Sequence, residues 1–216
     1  MSRVRFHIAI SLDGFVAGPN QSEENPIGEG GMQLHEWVFG LEAWRKHHGL
    51  EGGETNPSSG IVEASTENVG AVVMGRNMFG GGPGPWGDWD GWWGDDPPFH
   101  VPVYVVTHHG REPLAKDGGT TFHFVTEGVE SALEQAKEAA GEQDVAIAGG
   151  ASVARQCLKA GLIDEMQLHV VPVLLGEGER LFDGVGDGEI ELEPTGVVEA
   201  PGVTHLTYNV KLASAS

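Results

Sequence analysis

The chain has 216 residues and a formal net charge of -20, from 12 Lys and Arg against 32 Asp and Glu. A chain of this length buries roughly 70% of its unfolded surface, so we expect a single domain over residues 1–216. The acidic excess repels phosphate backbones and anionic lipid, and no apolar run approaches the roughly 18 residues of a membrane span. We therefore expect no nucleic-acid partner and no membrane association, and with one Cys and no secretory leader we expect a cytoplasmic protein.

The first half of the chain contains three predicted strands and one predicted helix. Alternating apolar residues from Val4 to Ile10 predict a strand, and Asp and Gly residues after it supply turns. Apolar residues at helical spacing predict a helix from Met32 to His48, whose basic last turn suits the helix dipole. Short apolar runs at Ala71–Met74 and Val101–Thr107 predict two buried strands.

A loop rich in Trp and Gly is inserted between the last two of these strands. Residues 80–98, the tryptophan loop, hold four of the six Trp and four Asp, with many Gly and Pro that exclude a helix or a central strand. Loops of more than about 15 residues are usually functional or disordered, and four Trp argue against disorder. Two interpretations stay open: a flap packed on its own domain, or a lid over substrate or an arm across a dimer.

Strands and helices alternate through the second half of the chain. The predicted elements are a strand at 122–126, a helix at 129–141, a strand at 145–148, a helix at 151–160 and a strand at 166–175. Two more strands, at 190–197 and 203–212, predict a hairpin at the sheet edge. The alternation predicts an α/β fold with a mixed, mainly parallel sheet flanked by helices and a C-terminal antiparallel hairpin.

Three strand ends carry residues suited to an anionic ligand. Ligands of open α/β sheets bind beyond the carboxyl ends of the strands, where this chain has Gly75-Arg76-Asn77, Thr107-His108 with Arg111, and Gly149-Gly150-Ala151-Ser152-Val153. Glycine lets the backbone approach a ligand, free N–H groups at a helix start favour an anion, and arginine pairs with phosphate. Taken singly, each segment also fits an ordinary turn between a strand and a helix.

Together, these segments resemble those of a known enzyme superfamily. Val-Val-Met-Gly-Arg after one strand, Val-Val-Thr after the next and Ala-Gly-Gly-Ala-Ser-Val before a helix are arranged as in dihydrofolate reductases. Residues 11–18, Ser-Leu-Asp-Gly-Phe-Val-Ala-Gly, look like the opening of the reductase domain of the bifunctional deaminase-reductases of riboflavin biosynthesis, and residues 162–182 are also similar to that domain. The resemblance implies a three-layer fold of the dihydrofolate reductase type over residues 3 to about 212.

NADPH is the cofactor that the resemblance implies. Its 2′-phosphate is expected near Arg76 and the Thr107-His108 turn, its pyrophosphate on the amides of 149–153, and its nicotinamide beside Ala17 and Gly18. Arg111 is expected to compensate for Ser152, which stands where dihydrofolate reductases often carry a second arginine. The full predicted cofactor site is Ala17, Gly18, Gly75, Arg76, Asn77, Thr107, His108, Arg111, Gly149, Gly150, Ala151, Ser152 and Val153.

The substrate is expected against the first helix, at Leu34 and Trp37. Dihydrofolate reductases hold the pterin ring by a carboxylate early in that helix, and the best-matching positions here, Gln33 and Leu34, offer none. We predict that Asp13, or a water it holds, assists protonation; a turn residue bonded to its own backbone is the alternative. His169 is predicted to face the substrate as a second catalytic residue, with a half-exposed strand histidine as the alternative.

The ten His and one Cys suggest a metal site, which their spacing does not favour. Adjacent pairs such as His47-His48 share no face of a helix or strand, and no Cys-x-x-Cys or His-Glu-x-x-His spacing occurs. Cys157 lies on the apolar side of its predicted helix, which indicates a buried small hydrophobe. We predict no metal.

An NADPH-dependent oxidoreductase is therefore the predicted activity. The resemblance to 5-amino-6-(5-phosphoribosylamino)uracil reductase implies hydride transfer to a small heterocyclic substrate. A true dihydrofolate reductase, a non-catalytic nucleotide-binding module and a flavin-using reductase are the alternatives. We expect a homodimer, because the resembled riboflavin reductases pair and because edge strands need a cover.

Overall fold

A computed structural model describes residues 2–186 and 190–212 of the protein. The strands are β1 (Val4–Ser11), β2 (Phe15–Ala17), β3 (Val69–Gly75), β4 (Pro102–Val106), β5 (Leu114–Ala115), β6 (Thr121–Val125), β7 (Asp144–Ile147), β8 (Glu165–Val171), β9 (Glu179–Arg180), β10 (Ile190–Ala200) and β11 (Val203–Leu212). The α-helices are α1 (Glu36–Phe39), α2 (Glu42–His47), α3 (Pro57–Thr66), α4 (Arg76–Phe79), α5 (Val129–Ala140) and α6 (Ala151–Lys159). Short 3-10 turns cover Gly31–Leu34 and Asp117–Gly119.

Six parallel strands form the centre of one sheet. The strand order is β10-β11-β8-β1-β7-β3-β4-β6-β5, and the strands from β8 to β6 are parallel to their neighbours. β11 pairs with β8 in antiparallel register, and β10 pairs with β11 as the outer strand of the C-terminal hairpin. The prediction of a mixed, mainly parallel sheet with a terminal hairpin is confirmed.

The predicted helix from Met32 to His48 is wrong, because the chain turns twice within it. A 3-10 turn, α1 and α2 follow one another, and Leu41 adopts an extended backbone (φ -75°, ψ 133°) that separates the two helices. Leu41 is fully buried and bridges to Glu54. The apolar spacing that suggests one helix thus comes from separate short segments, in which Leu34 of the 3-10 turn and Leu41 between the helices are the fully buried residues.

Helix α3 has no counterpart among the predicted elements. Only Ile61 and Val62 interrupt its polar sequence with large apolar side chains, so its periodicity is weak. Its start signal is local: Asn56 accepts a hydrogen bond from the Ser58 N–H, Ser59 Oγ accepts one from the Asn56 N–H, and Pro57 occupies the first turn.

Strand β8 ends at Val171, four residues before the predicted end. Pro172 has no N–H to offer to a neighbouring strand. The chain instead turns towards the loop after β1, where the Leu12 N–H donates to the Val173 carbonyl.

The two faces of the sheet are covered in different ways. Helices α5 and α6 pack on one face in a single core with apolar side chains of β1, β3, β7 and β8. The other face, here called the divided face, has two separate covers. The segment 31–66 lies over β1, β8 and β11, and the tryptophan loop lies over β3, β4 and β6.

Hydrogen bonds and aromatic contacts hold the tryptophan loop on its own sheet. Trp86 donates to the His109 carbonyl and packs edge-on against Phe79, and Trp89 donates to the Phe79 carbonyl at 3.0 Å. Trp93 stacks on Phe122 of β6. The loop is irregular with aromatic anchors, as expected, and these contacts are those of the flap interpretation. The roles as a lid or a dimer arm stay predictions.

Across residues 2–186 and 190–212, no helix combines the length and the apolar character that crossing a membrane requires.

Replacing Trp86 with Ala should lower the free energy of unfolding by about 3 to 5 kcal/mol, the usual cost of truncating a large buried aromatic residue. Trp86 is 8% exposed, and the guanidinium of Arg76 lies 3.6 Å from its ring centroid. Urea unfolding followed by circular dichroism measures the loss. Trp44→Ala is the matched control, because Trp44 lies on the short helix α2, is partly exposed, and contacts the rings of Phe39 and His48, which are themselves exposed. Equal losses for the two variants would contradict the assignment.

Candidate active site

The loops after β3 and β7 diverge at the carboxyl edge of the sheet. β7 and β3 are neighbours, but the chain leaves β3 towards β4 on one side and leaves β7 through α6 towards β8 on the other. Such a topological switch opens a crevice at which open α/β sheets bind ligands. The predicted segments at 75–77 and 149–153 therefore meet at one place.

Glycine backbone lines this crevice. Gly149 (φ 125°) and Gly150 (φ 85°) adopt conformations that favour glycine, and the Gly75 N–H points at the Gly149 carbonyl, 3.5 Å away. A Cβ on Gly150 would lie 3.9 Å from the Gly75 Cα, so the two glycine backbones approach each other closely. The crevice is thus a cradle bounded by main chain.

Helix α6 begins directly after the Gly149-Gly150 turn. Ala151 and Val153 are buried against the core, whereas Ser152 is exposed. The N–H groups of the first turn of a helix have no intrahelical acceptor and favour negative charge. A phosphate in the cradle would meet these amides.

Arg76 and Arg111 are both held by the tryptophan loop. Arg76 Nη2 donates to the Gly81 carbonyl at 3.2 Å, and its Nε and Nη1 are buried with no hydrogen-bond partner among the described residues. Arg111 Nη1 donates to the Trp89 carbonyl at 2.6 Å. Both guanidiniums lie near the Trp86 ring, at 3.6 and 5.8 Å from its centroid. The two predicted phosphate ligands therefore form one cationic cluster.

The remaining predicted cofactor residues lie on both sides of the crevice. Asn77 and His108 are exposed, and Thr107 is buried with its hydroxyl accepting the His109 N–H. Ala17 pairs with Glu179 of β9, and the Gly18 N–H donates to the Ile27 carbonyl. A Cβ on Gly18 would lie 1.8 Å from the Glu29 carbonyl oxygen, so close backbone packing alone requires this glycine.

A salt bridge ties β9 to α6. Arg155 of α6 bonds to Glu179 of β9 with 2.7 Å between Nη2 and Oε1, and its Nη1 donates to the Arg180 carbonyl. β9 pairs with β2, which carries Ala17. This contact was not anticipated from sequence, because 24 residues separate Arg155 from Glu179 and no local pattern marks the pair.

Asp13 anchors two loops. Its carboxylate accepts hydrogen bonds from the Ser11 hydroxyl and from the N–H groups of Leu175 (3.1 Å) and Gly176 (2.7 Å). The Ser11 hydroxyl first, and then these amides, lower the pKa of Asp13 to about 2. At neutral pH the carboxylate therefore carries no proton of its own to donate.

Leu34 and Trp37, the two predicted substrate contacts, differ in how far their side chains are exposed to solvent. Leu34 is fully buried in a core cluster with Ala9, Val171 and Val203, so its side chain contacts protein on every side. Trp37 is partly exposed and donates from its indole N–H to the Leu34 carbonyl at 3.0 Å. Of the two predicted substrate contacts, only Trp37 presents surface.

A chain of hydrogen bonds, the histidine chain, crosses the divided face beneath Trp37. Ser58 Oγ lies 2.9 Å from His205 Nε2, His205 Nδ1 lies 2.8 Å from His169 Nδ1, and His169 Nε2 lies 3.4 Å from His7 Nδ1. The Trp37 ring lies 5.1 and 5.0 Å from the rings of His169 and His205. His169, 5% exposed, is thus a buried member of a network and not the half-exposed histidine of the alternative interpretation.

Burial keeps the histidine chain uncharged. Desolvation lowers the pKa of His7 and of His205 to about 4, and Arg5 lowers that of His7 further. Desolvation and the neighbouring imidazoles hold the pKa of His169 well below its ordinary value. All three rings are neutral at physiological pH.

Sequence reasoning missed His7, His205 and Ser58. In a strand, a polar residue that alternates with apolar neighbours is read as solvent-facing. Here that alternation holds, but the segment 31–66 covers the polar side of β1 and β11. The shared face of His169 and its register partner His205 is visible only once β8 and β11 are paired.

Within residues 2–186 and 190–212, no three His, Cys, Asp or Glu converge as metal ligands, and the rings of the histidine chain bond to one another. Cys157 is buried, and desolvation raises the pKa of its thiol to about 12.

Acidification should destabilise the protein between about pH 6.5 and pH 4. The unfolded chain protonates its histidines in this window while the folded chain keeps His7, His169 and His205 neutral, so the unfolded state binds more protons. Each such histidine contributes a slope of about 1.4 kcal/mol per pH unit to the free energy of unfolding. Urea unfolding at pH 7.5, 6, 5 and 4.5 measures how the free energy of unfolding changes with pH.

His205→Asn should reduce the slope of the free energy of unfolding against pH by about the contribution of one histidine, because it removes one titrating ring. Asn retains a polar atom near the position of Nδ1, so His169 keeps a hydrogen-bond partner. His123→Asn is the control, because His123 stacks on Tyr104 of β4, outside the histidine chain. Identical slopes for the wild type and His205→Asn would contradict the assignment.

Comparison with known proteins identifies the family of the chain. The RibD C-terminal domain family matches residues 2–206. Among solved structures, a putative riboflavin biosynthesis protein from a Shewanella species superposes with a TM-score of 0.62 at 22% identity, over 97% of this chain and 99% of that one. A diaminohydroxyphosphoribosylaminopyrimidine deaminase/5-amino-6-(5-phosphoribosylamino)uracil reductase from Thermotoga maritima gives 0.56 at 14% identity, over 98% of this chain and 57% of that one.

The fold also matches dihydrofolate reductase. The enzyme from Enterococcus faecalis, solved with NADP(H), superposes with a TM-score of 0.50 at 15% identity over 96% of both chains. The predicted dihydrofolate reductase-like fold is confirmed, and the chain belongs to the RibD C-terminal domain family.

Proposed function

We propose that the protein is an NADPH-dependent reductase that transfers hydride to a small heterocyclic substrate related to a ribosylated aminopyrimidine. The observation that carries the proposal is the glycine-lined cradle between β3 and β7, which opens onto the first turn of α6. Membership of the RibD C-terminal domain family supports the reductase class. The pyrimidine reductase activity in the name of the Thermotoga relative and the NADP(H) bound to the dihydrofolate reductase support substrate class and cofactor.

The cradle fits a dinucleotide pyrophosphate. Gly149 and Gly150 carry no side chain that would obstruct it, and the amides of Ala151 to Val153 are the donors that it would meet. The cofactor supplies the hydride, so the protein has to orient the nicotinamide and exclude water. Ala17 and Gly18 would form the wall beside the nicotinamide, and the bond between Arg155 and Glu179 would keep that wall in register with α6.

The substrate would lie on the side of the divided face that the segment 31–66 covers. Trp37 provides an aromatic surface there, and no carboxylate occupies the position of Leu34. A pterin held by ion pairing with a carboxylate is therefore not favoured, and a neutral heterocycle is. Homodimerisation stays a prediction.

Replacing Arg76 with Ala should weaken NADPH binding by about ten-fold or more and NADH binding by less than about three-fold, because only NADPH carries the 2′-phosphate. Fluorescence titration with both cofactors provides the two dissociation constants. Arg45→Ala is the control for the change of one charge, since Arg45 bonds only to the Glu51 and Gly52 carbonyls on the far surface of α2. Equal losses for NADPH and NADH would remove Arg76 from this role.

Asp13→Asn should lower turnover by about a hundred-fold while leaving NADPH affinity nearly unchanged, if Asp13 holds the water that protonates the substrate. Steady-state NADPH oxidation with dihydrofolate, an aminopyrimidine ribitol phosphate and flavin as acceptors measures turnover and identifies the substrate class. Ser11→Ala is the companion variant, because it removes one donor to the carboxylate and keeps its charge. Unchanged turnover in Asp13→Asn would leave Asp13 with its loop-anchoring role alone.

A further inference from the structure

We propose that the histidine chain fixes the ring of His7 as a hydrogen-bond donor through Nε2 and thereby selects a heterocycle that presents a carbonyl oxygen. The inference rests on the proposed function, whose substrate class it narrows. It assigns recognition to His7 and a positioning role to Ser58, His205 and His169.

Only one member of the chain reaches solvent. His205 is 1% exposed, His169 5% and Ser58 1%, whereas His7 is partly exposed. Five of the six imidazole nitrogens bond within the chain, and in the described part of the protein the sixth, His7 Nε2, has no hydrogen-bond partner. A bound ligand would therefore meet the network at this nitrogen.

His7 lies on β1, at the border between the two covers of the divided face, and is partly exposed. Its strand β1 runs between β8, which lies under the segment 31–66, and β7, which borders the strands under the tryptophan loop. The neighbouring side chains on this face are the small Ala146 of β7 and Ala148, which directly follows that strand. The side chains next to His7 on this side are therefore small and apolar.

Two arrangements of protons satisfy three neutral imidazoles in this chain. In the first, the Ser58 hydroxyl donates to His205 Nε2, His205 Nδ1–H donates to His169 Nδ1, and His169 Nε2–H donates to His7 Nδ1. The proton of His7 then lies on Nε2. In the second, every bond is reversed, and His7 Nε2 is an acceptor.

Ser58 decides between the two arrangements. In the first, its hydroxyl proton is used in the bond to His205. In the second, the Ser58 oxygen accepts from His205, and the hydroxyl proton needs another acceptor. The structure gives Ser58 Oγ a single hydrogen-bond partner among the described residues, so the second arrangement buries an unsatisfied donor. An unsatisfied buried donor costs more than a hydrogen bond gains. The first arrangement prevails, and His7 presents an N–H.

An N–H on His7 Nε2 determines which ligand group can bind there. An N–H donor on a partly buried floor binds an acceptor, such as the carbonyl oxygen of an oxopyrimidine, and disfavours an amino group at the same place. A carboxylate in that position would have the opposite preference, because an ionised carboxylate only accepts.

Nitrogen-15 NMR of histidine-labelled protein at pH 7 tests the network without any activity measurement. We expect His7 with its proton on Nε2 in the wild type. Ser58→Ala should shift the ring nitrogens of His205, His169 and His7, and Ser58→Thr should restore them because it keeps the hydroxyl. A shift at His205 alone, or a wild-type His7 with its proton on Nδ1, would overturn the proposal.

Ligand binding tests recognition. The probes are 5,6-diaminouracil, which has two carbonyl oxygens, and 4,5,6-triaminopyrimidine, which has none. The wild type should bind the first roughly ten-fold more tightly by calorimetry. His7→Gln, whose amide reaches the Nε2 position, should keep most of this preference, and His7→Asn, whose amide reaches only the Nδ1 position, should lose it. His123→Asn serves as the control that keeps the preference.

The two proposals fail in different ways. If the probes are discriminated through His7 but no acceptor consumes NADPH, the reductase function fails and the donor role of His7 stands. If NADPH is consumed but the probes bind alike, the donor role is overturned and the reductase function stands.

Discussion

A parallel sheet has to be covered on both faces, and the way this protein covers the second face determines where it can bind a ligand. α5 and α6 form a continuous layer on one side. On the other side the cover is split, with helical segments over β1, β8 and β11 and an aromatic loop over β3, β4 and β6. The border between these two covers falls at β1 and β7, next to the place where the loops after β3 and β7 diverge.

The histidine chain explains how a buried floor stays polar without charge. An ionised carboxylate buried in a chain with a net charge of -20 would lack a counter-charge and would carry a large desolvation penalty. Three neutral imidazoles and a hydroxyl satisfy one another instead, which removes the penalty of buried unpaired groups. The same network orients the rings, so the chemistry that a ligand meets at His7 is decided by a serine at the other end of the chain.

The sequence predicts those parts of the fold that depend on local signals. Apolar runs and their alternation with helices locate the six parallel strands, and the Gly149-Gly150 turn before α6 marks the cradle from composition alone. The segment 31–66 is misread because its turns depend on non-local contacts: Leu41 is fully buried, bridges to Glu54 and has an extended backbone between two helices. The histidine chain cannot be seen in the sequence for a related reason. Its four members come from four elements, α3, β11, β8 and β1, and 147 residues separate Ser58 from His205, so only the tertiary packing and the strand register bring them together.

The surroundings of Arg76 and Arg111 explain how so acidic a chain can offer positive charge to a dinucleotide. Several basic residues are neutralised by carboxylates, as in the pairs Arg5–Asp144 and Lys116–Asp90. Arg76 and Arg111 donate to backbone carbonyls instead, and the Trp86 ring between the loop and the sheet occupies the space that a carboxylate would take. An aromatic face attracts a guanidinium without cancelling its charge. Repulsion from distant carboxylates is screened beyond about 8 to 10 Å at physiological ionic strength, so they contribute little to the field at these two cations. The tryptophan loop therefore contributes electrostatics as well as cover to the carboxyl edge of the sheet.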